Sequence, residues 1–277
     1  MLFLCDPRFR GDHVDKRGFM KVLFIGDIVG RPGRNVTRKR LREFREANGI
    51  DCVIANGENA AGGSGITPGI AEELFNNGID VLTSGDHIWK KREAYAFLDK
   101  TDKVVRPLNY PPGVPGKGST VVEIAGVKVG VVNLIGRVFM DAVDCPFRRA
   151  REEVRELRKE TPIIIVDMHA EATSEKVAMG WFLDGSVSAV LGTHTHIQTA
   201  DETVRPKGTA YITDSGMTGP YDSVIGRQKE LIIERFLTNL PTRFEVATGD
   251  IQMHGVVIDI DNETGNARSI ERVQEKM

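Results

Sequence analysis

The sequence predicts an α/β fold, one domain of two packed sheets with helices on the outside. Three observations carry this. In the N-terminal half, short continuous apolar runs of strand length alternate with helical patterns, as in a parallel layer with right-handed crossovers. Later stretches, 120–134 and 252–273, read as hairpins. Each early apolar run also ends in a polar cluster, the position at which open α/β sheets hold their ligands.

Residues 21–26 are an apolar run bounded by glycine and predict the first buried strand, with Asp27 directly after it. Gly30-Arg31-Pro32-Gly33 is turn chemistry. The helix expected over 34–48 is strongly basic and stops at Asn48-Gly49. Residues 51–55 predict a second strand, which runs into Asn56-Gly57-Glu58-Asn59 and a loop of small residues. Thr67-Pro68 supplies an N-cap and a proline at the first helical position for a helix ending near Asn77. A third strand is expected over 79–83, followed by Gly85-Asp86-His87 and a short helix over 91–98.

Residues 106–118 are rich in Pro and Gly and predict an irregular surface segment. A hairpin over 120–124 and 127–134 turns at Ala125-Gly126. A helix is expected from Asp144-Cys145-Pro146 to Lys159, then a strand over 162–167 that ends in Met168-His169-Ala170-Glu171. Ser174 caps a helix to Phe182. The apolar run 187–191 predicts a strand leading into Gly192-Thr193-His194-Thr195-His196; on an extended segment these two histidines point to one side. A strand over 208–213 ends in Asp214-Ser215-Gly216, a helix covers 231–236, and 252–260 with 267–273 forms a closing hairpin.

Composition bounds the function classes. With 277 residues, 40% hydrophobic and 27% charged, the chain is an ordinary globular protein. A net charge of −2, from 37 Lys+Arg against 39 Asp+Glu, gives no electrostatic case for stable nucleic-acid or membrane-surface binding. No apolar run approaches the roughly 18 residues of a bilayer span. Three cysteines, Cys5, Cys52 and Cys145, without paired spacing argue against a disulfide scaffold or a thiolate metal site, and for a reducing, cytoplasmic setting. Residues 1–19 differ in texture from 20–277 and are expected to be a disordered or non-native extension.

The chemistry-bearing residues gather at strand ends: Asp27, Glu58 with Asn59, Asp86 with His87, His169, and His194 with His196. Each alone has a bland reading. Asp27 is a turn or cap residue, Glu58 a solvated loop charge, Asn59 a turn former, and His87 or His169 a hydrogen-bonded structural histidine. As a set they read differently, because four of the six histidines follow buried strands directly; His13 and His254 lack that context and are read as structural. A nitrogen and oxygen donor set without cysteine suits Fe, Mn or Zn. It is too large for one tetrahedral ion and about right for two ions sharing a carboxylate. Two ions about 3.5–4 Å apart suit in-line displacement at phosphorus, with a neighbouring histidine protonating the leaving oxygen.

Taken in order, Gly26-Asp27, Asn56-Gly57-Glu58-Asn59, Gly85-Asp86-His87, His169 and Gly192-Thr193-His194-Thr195-His196 resemble the motifs of the calcineurin-like metallophosphoesterases, and within them the YmdB-type branch. The resemblance covers nearly all of residues 20–277. It implies a four-layer α/β/β/α sandwich with a dinuclear metal centre, Fe or Mn first and Zn next. It implies a phosphodiesterase acting on small nucleotide phosphodiesters, 2′,3′-cyclic or 3′,5′-cyclic nucleotides. Carried over by position, Asp27, Asn59 and His196 would hold one ion and Asp86, His169 and His194 the other, with Glu58 bridging and His87 as general acid. Members are often oligomers, so a homo-oligomer is an expectation of the resemblance alone. Two positions depart from the pattern: Asp86 stands where the family usually has asparagine, and Lys90 where an acidic residue tends to follow the Trp. Two rivals remain at this level: a phosphomonoesterase or nucleotidase on the same core, and a metal-bound regulatory protein with vestigial hydrolysis.

Overall fold

The computed structural model describes residues 18–277. Its elements in order are β1 (Phe19–Ile25), β2 (Asp27–Ile28), α1 (Gly30–Asn48), β3 (Cys52–Asn56), α2 (Pro68–Asn76), β4 (Val81–Thr83), α3 (Ala94–Leu98), β5 (Ser119–Ile124), β6 (Val127–Ile135), α4 (Pro146–Leu157), β7 (Ile164–His169), α5 (Thr173–Phe182), β8 (Ala189–Thr193), β9 (Thr203–Val204), β10 (Ala210–Ile212), β11 (Met217–Pro220), α6 (Lys229–Thr238), β12 (Ile251–Asp261) and β13 (Ala267–Lys276).

The strands form two sheets. The first has the order β2-β11-β12-β1-β3-β4, with β13 on β12; the second has the order β5-β6-β7-β8-β10-β9. In the first sheet β1, β3 and β4 run parallel, while β12 lies antiparallel to β1. In the second, β6, β7, β8 and β10 are parallel.

Strand alternation sorts the apolar residues into three cores. Val22, Phe24, Cys52 and Ile54 of the first sheet face Val129, Val131, Ile163 and Ile165 of the second. Their neighbours Leu23, Ile25 and Val53 point the other way, onto Val36 and Leu41 of α1 and Leu74 of α2. Val132, Ile164 and Val166 pack on Ala150 and Val154 of α4 and Met179 of α5. Both faces of each central strand are therefore buried, which explains why these strands read as unbroken apolar runs. The layering is α/β/β/α, as the resemblance implies.

Several boundaries shift. Most of the expected extension at 1–19, with Cys5 and His13, lies outside the described residues, but Phe19 already pairs with Asp261 in β1. The glycine-rich turn expected before the first helix is its first turn: α1 begins at Gly30, and Pro32 fits there because the first N–H groups of a helix need no partner. Ser174 lies inside α5, whose N-cap is Ala172 with no side-chain cap bond. Thr67 caps α2 as expected, accepting from the Ile70 N–H at 3.3 Å. The short strands β2, β9 and β11 have no sequence signal of their own. Among the described residues, no helix is long and apolar enough to cross a membrane. The parallel strands of both sheets end at the same rim of the sandwich, and the polar clusters meet there.

Candidate metal centre

Asp27 opens β2, and Glu58 and Asn59 follow β3. Asp86 and His87 follow β4, His169 closes β7, and His194 and His196 follow β8. The fold brings all eight together in two adjoining groups. In one, atoms of Glu58, Asp86, His169 and His194 lie within 4.8 Å of one another. His169 Nε2 stands 3.4 Å from Glu58 Oε2, 3.3 Å from Asp86 Oδ1 and 3.0 Å from His194 Nδ1. In the other, Asn59 Nδ2 donates to Glu58 Oε1 at 2.9 Å and to Asp27 Oδ1 at 3.4 Å, and lies 3.3 Å from His196 Nε2. Glu58 thus turns one carboxylate oxygen toward each group.

His194 and His196 do not share a face by strand alternation. Both lie beyond β8 with positive φ, 94° and 65°. Two left-handed residues around Thr195 make a tight turn, and this turn sends the imidazoles to different groups. Such backbone is costly for a residue with a Cβ and persists only where its surroundings hold it. Asp214, after β10, supplies the hold. Its Oδ2 accepts from the Thr195 N–H at 3.1 Å, the Thr195 hydroxyl at 2.6 Å and Lys176 Nζ at 2.9 Å, while Oδ1 accepts from the Gly216 N–H. Lys176 and Asp214 are both buried.

The imidazole tautomers follow from the bonds on their far sides. Thr193 donates its hydroxyl to Asp167 Oδ1 at 2.7 Å, so its oxygen accepts from His169 Nδ1 at 2.8 Å. With the Nδ1 proton committed, His169 Nε2 presents a lone pair to Glu58 and Asp86. His196 likewise gives its Nδ1 proton to the Ile225 carbonyl at 3.0 Å, which leaves Nε2 facing Asp27 and Asn59. His194 turns Nδ1 inward, with Nε2 3.2 Å from Glu171. Around His169, lone pairs and carboxylate oxygens converge with too few protons between them. That is the donor chemistry of a divalent cation, each imidazole being oriented by a bond on its outer nitrogen.

The electrostatics agree. Burial works against a charge on His169, yet Glu58, the bond to Asp86, and then Asp27 and Asp167 carry its pKa up to about 10. Burial would raise Asp86, but the hydrogen bond and charge of His169 hold it well below the usual carboxylate range. Burial likewise works to raise Glu58, but His169 and His87 bring it down, while burial leaves Asp27 raised. His194 is lowered to about 4 by burial and by the neighbouring His169. Without an ion, the cluster takes a proton as its cation. Gly85 leaves room for the arrangement, since a Cβ there would overlap His169 Nε2 and Glu58 Oε2.

His87 lies at the edge of the cluster. Its backbone N–H donates to Glu58 Oε2 at 3.1 Å, and its Nδ1 is 2.8 Å from Asn59 Oδ1 and 3.4 Å from Glu58 Oε1. The contact of its imidazole with the Glu58 carboxylate raises its pKa in spite of burial. A cavity of about 330 Å³ opens over the cluster, lined among others by Glu58, Asn59, His87, His194 and Arg227. Lys90 is exposed, and its side chain has no place in this network. His254 is buried in β12, bonded to Gln252 and stacked on Tyr221, which fits the structural reading.

The residues that sequence reasoning missed are Asn56, Asp167, Lys176, Thr193 and Asp214 behind the cluster, and Glu171, which is exposed and lines the cavity. Asp167 left a signal, a carboxylate at the end of an apolar run. Lys176 left none, because a helical lysine is nearly always solvated.

The profile of the family described as YmdB-like protein matches residues 23–273. A Bacillus subtilis (strain 168) protein named 2′,3′-cyclic-nucleotide 2′-phosphodiesterase is 52% identical over 254 residues, covering 92% of this chain and 96% of that one. Among solved structures, a hypothetical protein of Thermus thermophilus superposes with a TM-score of 0.87 at 44% identity, covering 93% of this chain and 99% of that one. A structure described as a novel phosphatase of Mycoplasma pneumoniae gives 0.88 at 35% identity, covering 93% and 94%.

Two outcomes are expected. Lys176→Met leaves Asp214 buried and unpaired, which costs about 3–5 kcal/mol; calorimetry should show a large fall in Tm, and elemental analysis reduced metal retention as Thr195 loosens. In metal-free protein, His169 has a raised folded pKa, so its stabilising contribution is complete below its ordinary 6.5 and is lost as pH rises through about 10. The Tm in chelator should therefore fall across that window, and His169→Gln should flatten the fall.

Proposed function

The chain belongs to the YmdB-like family, and from that premise we propose that it is a metal-dependent phosphodiesterase of small nucleotide phosphodiesters, with 2′,3′-cyclic nucleotides foremost. The observation that carries the reading is Glu58, whose two oxygens face two separate groups, His169 with Asp86 on one side and Asn59 with Asp27 and His196 on the other. This supports two ions, with iron or manganese best suited to the donors and zinc next. Asp27, Asn59 and His196 would hold one; Asp86, His169 and His194 would hold the other, with Glu58 shared.

Bound ions would supply charge neutralisation at the phosphoryl oxygens and a more acidic water. This chain's residues do the rest. The carboxylates and imidazoles fix the centre against the cavity floor, and the buried bonds behind them keep their lone pairs aimed inward. His87 borders the cavity and is held by Asn59 and Glu58. It gives its proton to the leaving oxygen of the sugar, which lets the P–O bond break without releasing a free alkoxide. The Mycoplasma pneumoniae relative described as a phosphatase supports a second reading, hydrolysis of phosphomonoesters on the same centre. The two free cysteines among the described residues, Cys52 and Cys145, support a reducing, cytoplasmic setting.

The test is His87→Ala in protein reloaded with manganese or iron. Turnover of a 2′,3′-cyclic nucleotide should fall by about 10²–10⁴, while elemental analysis finds the metal content of the wild type. Loss of metal in step with activity would remove the general-acid role. Faster hydrolysis of a chromogenic monoester than of the matching diester would favour the second reading.

A further inference from the structure

The metal cluster is rich in negative charge, yet the proposed substrate is an anion. Of the side chains lining the cavity over it, one is a lysine or arginine: Arg227. It lies in the segment between β11 and α6, fixed by bridges of Arg227 to Val224 and to Val246. The same segment carries Ile225, whose carbonyl orients His196. The guanidinium donates to the Gly63 carbonyl. Gly63 has φ +84°, and a Cβ there would overlap the guanidinium, so the loop after β3 makes room for it.

Arg227 is half buried, and burial lowers its pKa with no neighbouring charge acting on it. Among the described residues, no carboxylate pairs with it. A half-buried arginine normally has an acidic partner or several carbonyls. Here one carbonyl occupies part of a group with five N–H donors, and the rest remain available at the wall of a phosphoesterase cavity.

We infer that Arg227 is the substrate-binding cation of this site, its guanidinium taking the non-bridging phosphoryl oxygens of an ester bound in the cavity over the metal cluster. A guanidinium suits this task because its planar donors match two phosphoryl oxygens at once, whereas an ammonium offers a point charge. The inference rests on the phosphodiesterase reading for its substrate, and inorganic phosphate serves as a probe that does not require turnover.

The experiment compares wild type, Arg227→Ala and Arg227→Lys, each reloaded with manganese. Phosphate binding is followed by thermal shift, and diester hydrolysis by KM and kcat. Arg227→Ala should weaken phosphate binding and raise KM by about 10-fold or more, with metal content unchanged, and Arg227→Lys should recover part of both. Phosphate binding equal to wild type in Arg227→Ala would overturn the inference while leaving the enzyme reading intact. Metal loss in Arg227→Lys would overturn it too, by showing that the residue acts through its loop on His196. Arg227-dependent phosphate binding in a wild type that cleaves no ester would uphold Arg227 and remove the phosphodiesterase reading.

Discussion

The structure depends on a deficit of protons. At the common rim of the two sheets, Asp27, Glu58 and Asp86 bring carboxylates together with the inward nitrogens of His169, His194 and His196. Acceptors repel one another unless a cation lies between them. The deficit is built in rather than accidental, because the outer side of the ligands is already bonded. Asp167 fixes Thr193, which fixes His169, and the Ile225 carbonyl fixes His196. With those protons spent on outer partners, the inner lone pairs are left to meet an ion or, without one, the proton His169 takes up and the Asn59 amide beside His196.

That arrangement requires the two sheets to keep one register at the rim. The apolar core between them is non-directional and would tolerate small slips. Polar bonds across the sheets do not. Asn56 at the end of β3 donates to Asp167 of β7 at 3.0 Å, and Ser84 after β4 donates its N–H to Asn133 of β6 at 3.1 Å. Asp27 of the first sheet accepts the His194 N–H of the second at 3.1 Å. Burial raises the Asp167 pKa to about 6, so this carboxylate is held at some cost in free energy. The bonds it accepts from Thr193 and Asn56 offset that cost, and a satisfied buried network of this kind specifies a single arrangement.

The legibility of the chain divides along the same line. The layers are readable because strands buried on both faces are continuous apolar runs, as in 162–167 and 187–191. The ligands are readable because they follow those runs directly. What cannot be read depends on distant pairing. Asp214 is about twenty residues from Thr195, and its Asp-Ser-Gly setting has the form of a turn. The small strands β2 and β11 exist because each pairs with the other, through Asp27 and Met217, and neither has an alternating pattern. The helix boundary at Gly30 escapes the sequence because glycine and proline usually end helices, whereas here Pro32 opens one and Gly33 is packed against the Thr218 carbonyl. Strand alternation joins His194 and His196 to the site by an argument that the turn at Thr195 replaces.

Asp86 gives the charge balance its particular form. The resemblance leads one to expect asparagine at this position, and a neutral amide would leave two carboxylates, Asp27 and Glu58, against the two ions proposed. Asp86 adds a third, and the surrounding His169, His87 and His194 keep it ionised. The added carboxylate binds cations more firmly and reduces by one the net positive charge that the loaded centre shows to an anionic ester. A site altered in this way gains more from a cation placed outside the cluster, where it faces the substrate without competing for the ligands. Arg227 lines the same cavity, tied to the Gly63 carbonyl instead of a carboxylate. Its charge is therefore not spent on a carboxylate of the protein, and in the proposed role the departure at Asp86 would make that charge matter more to phosphate recognition than it would beside a neutral amide.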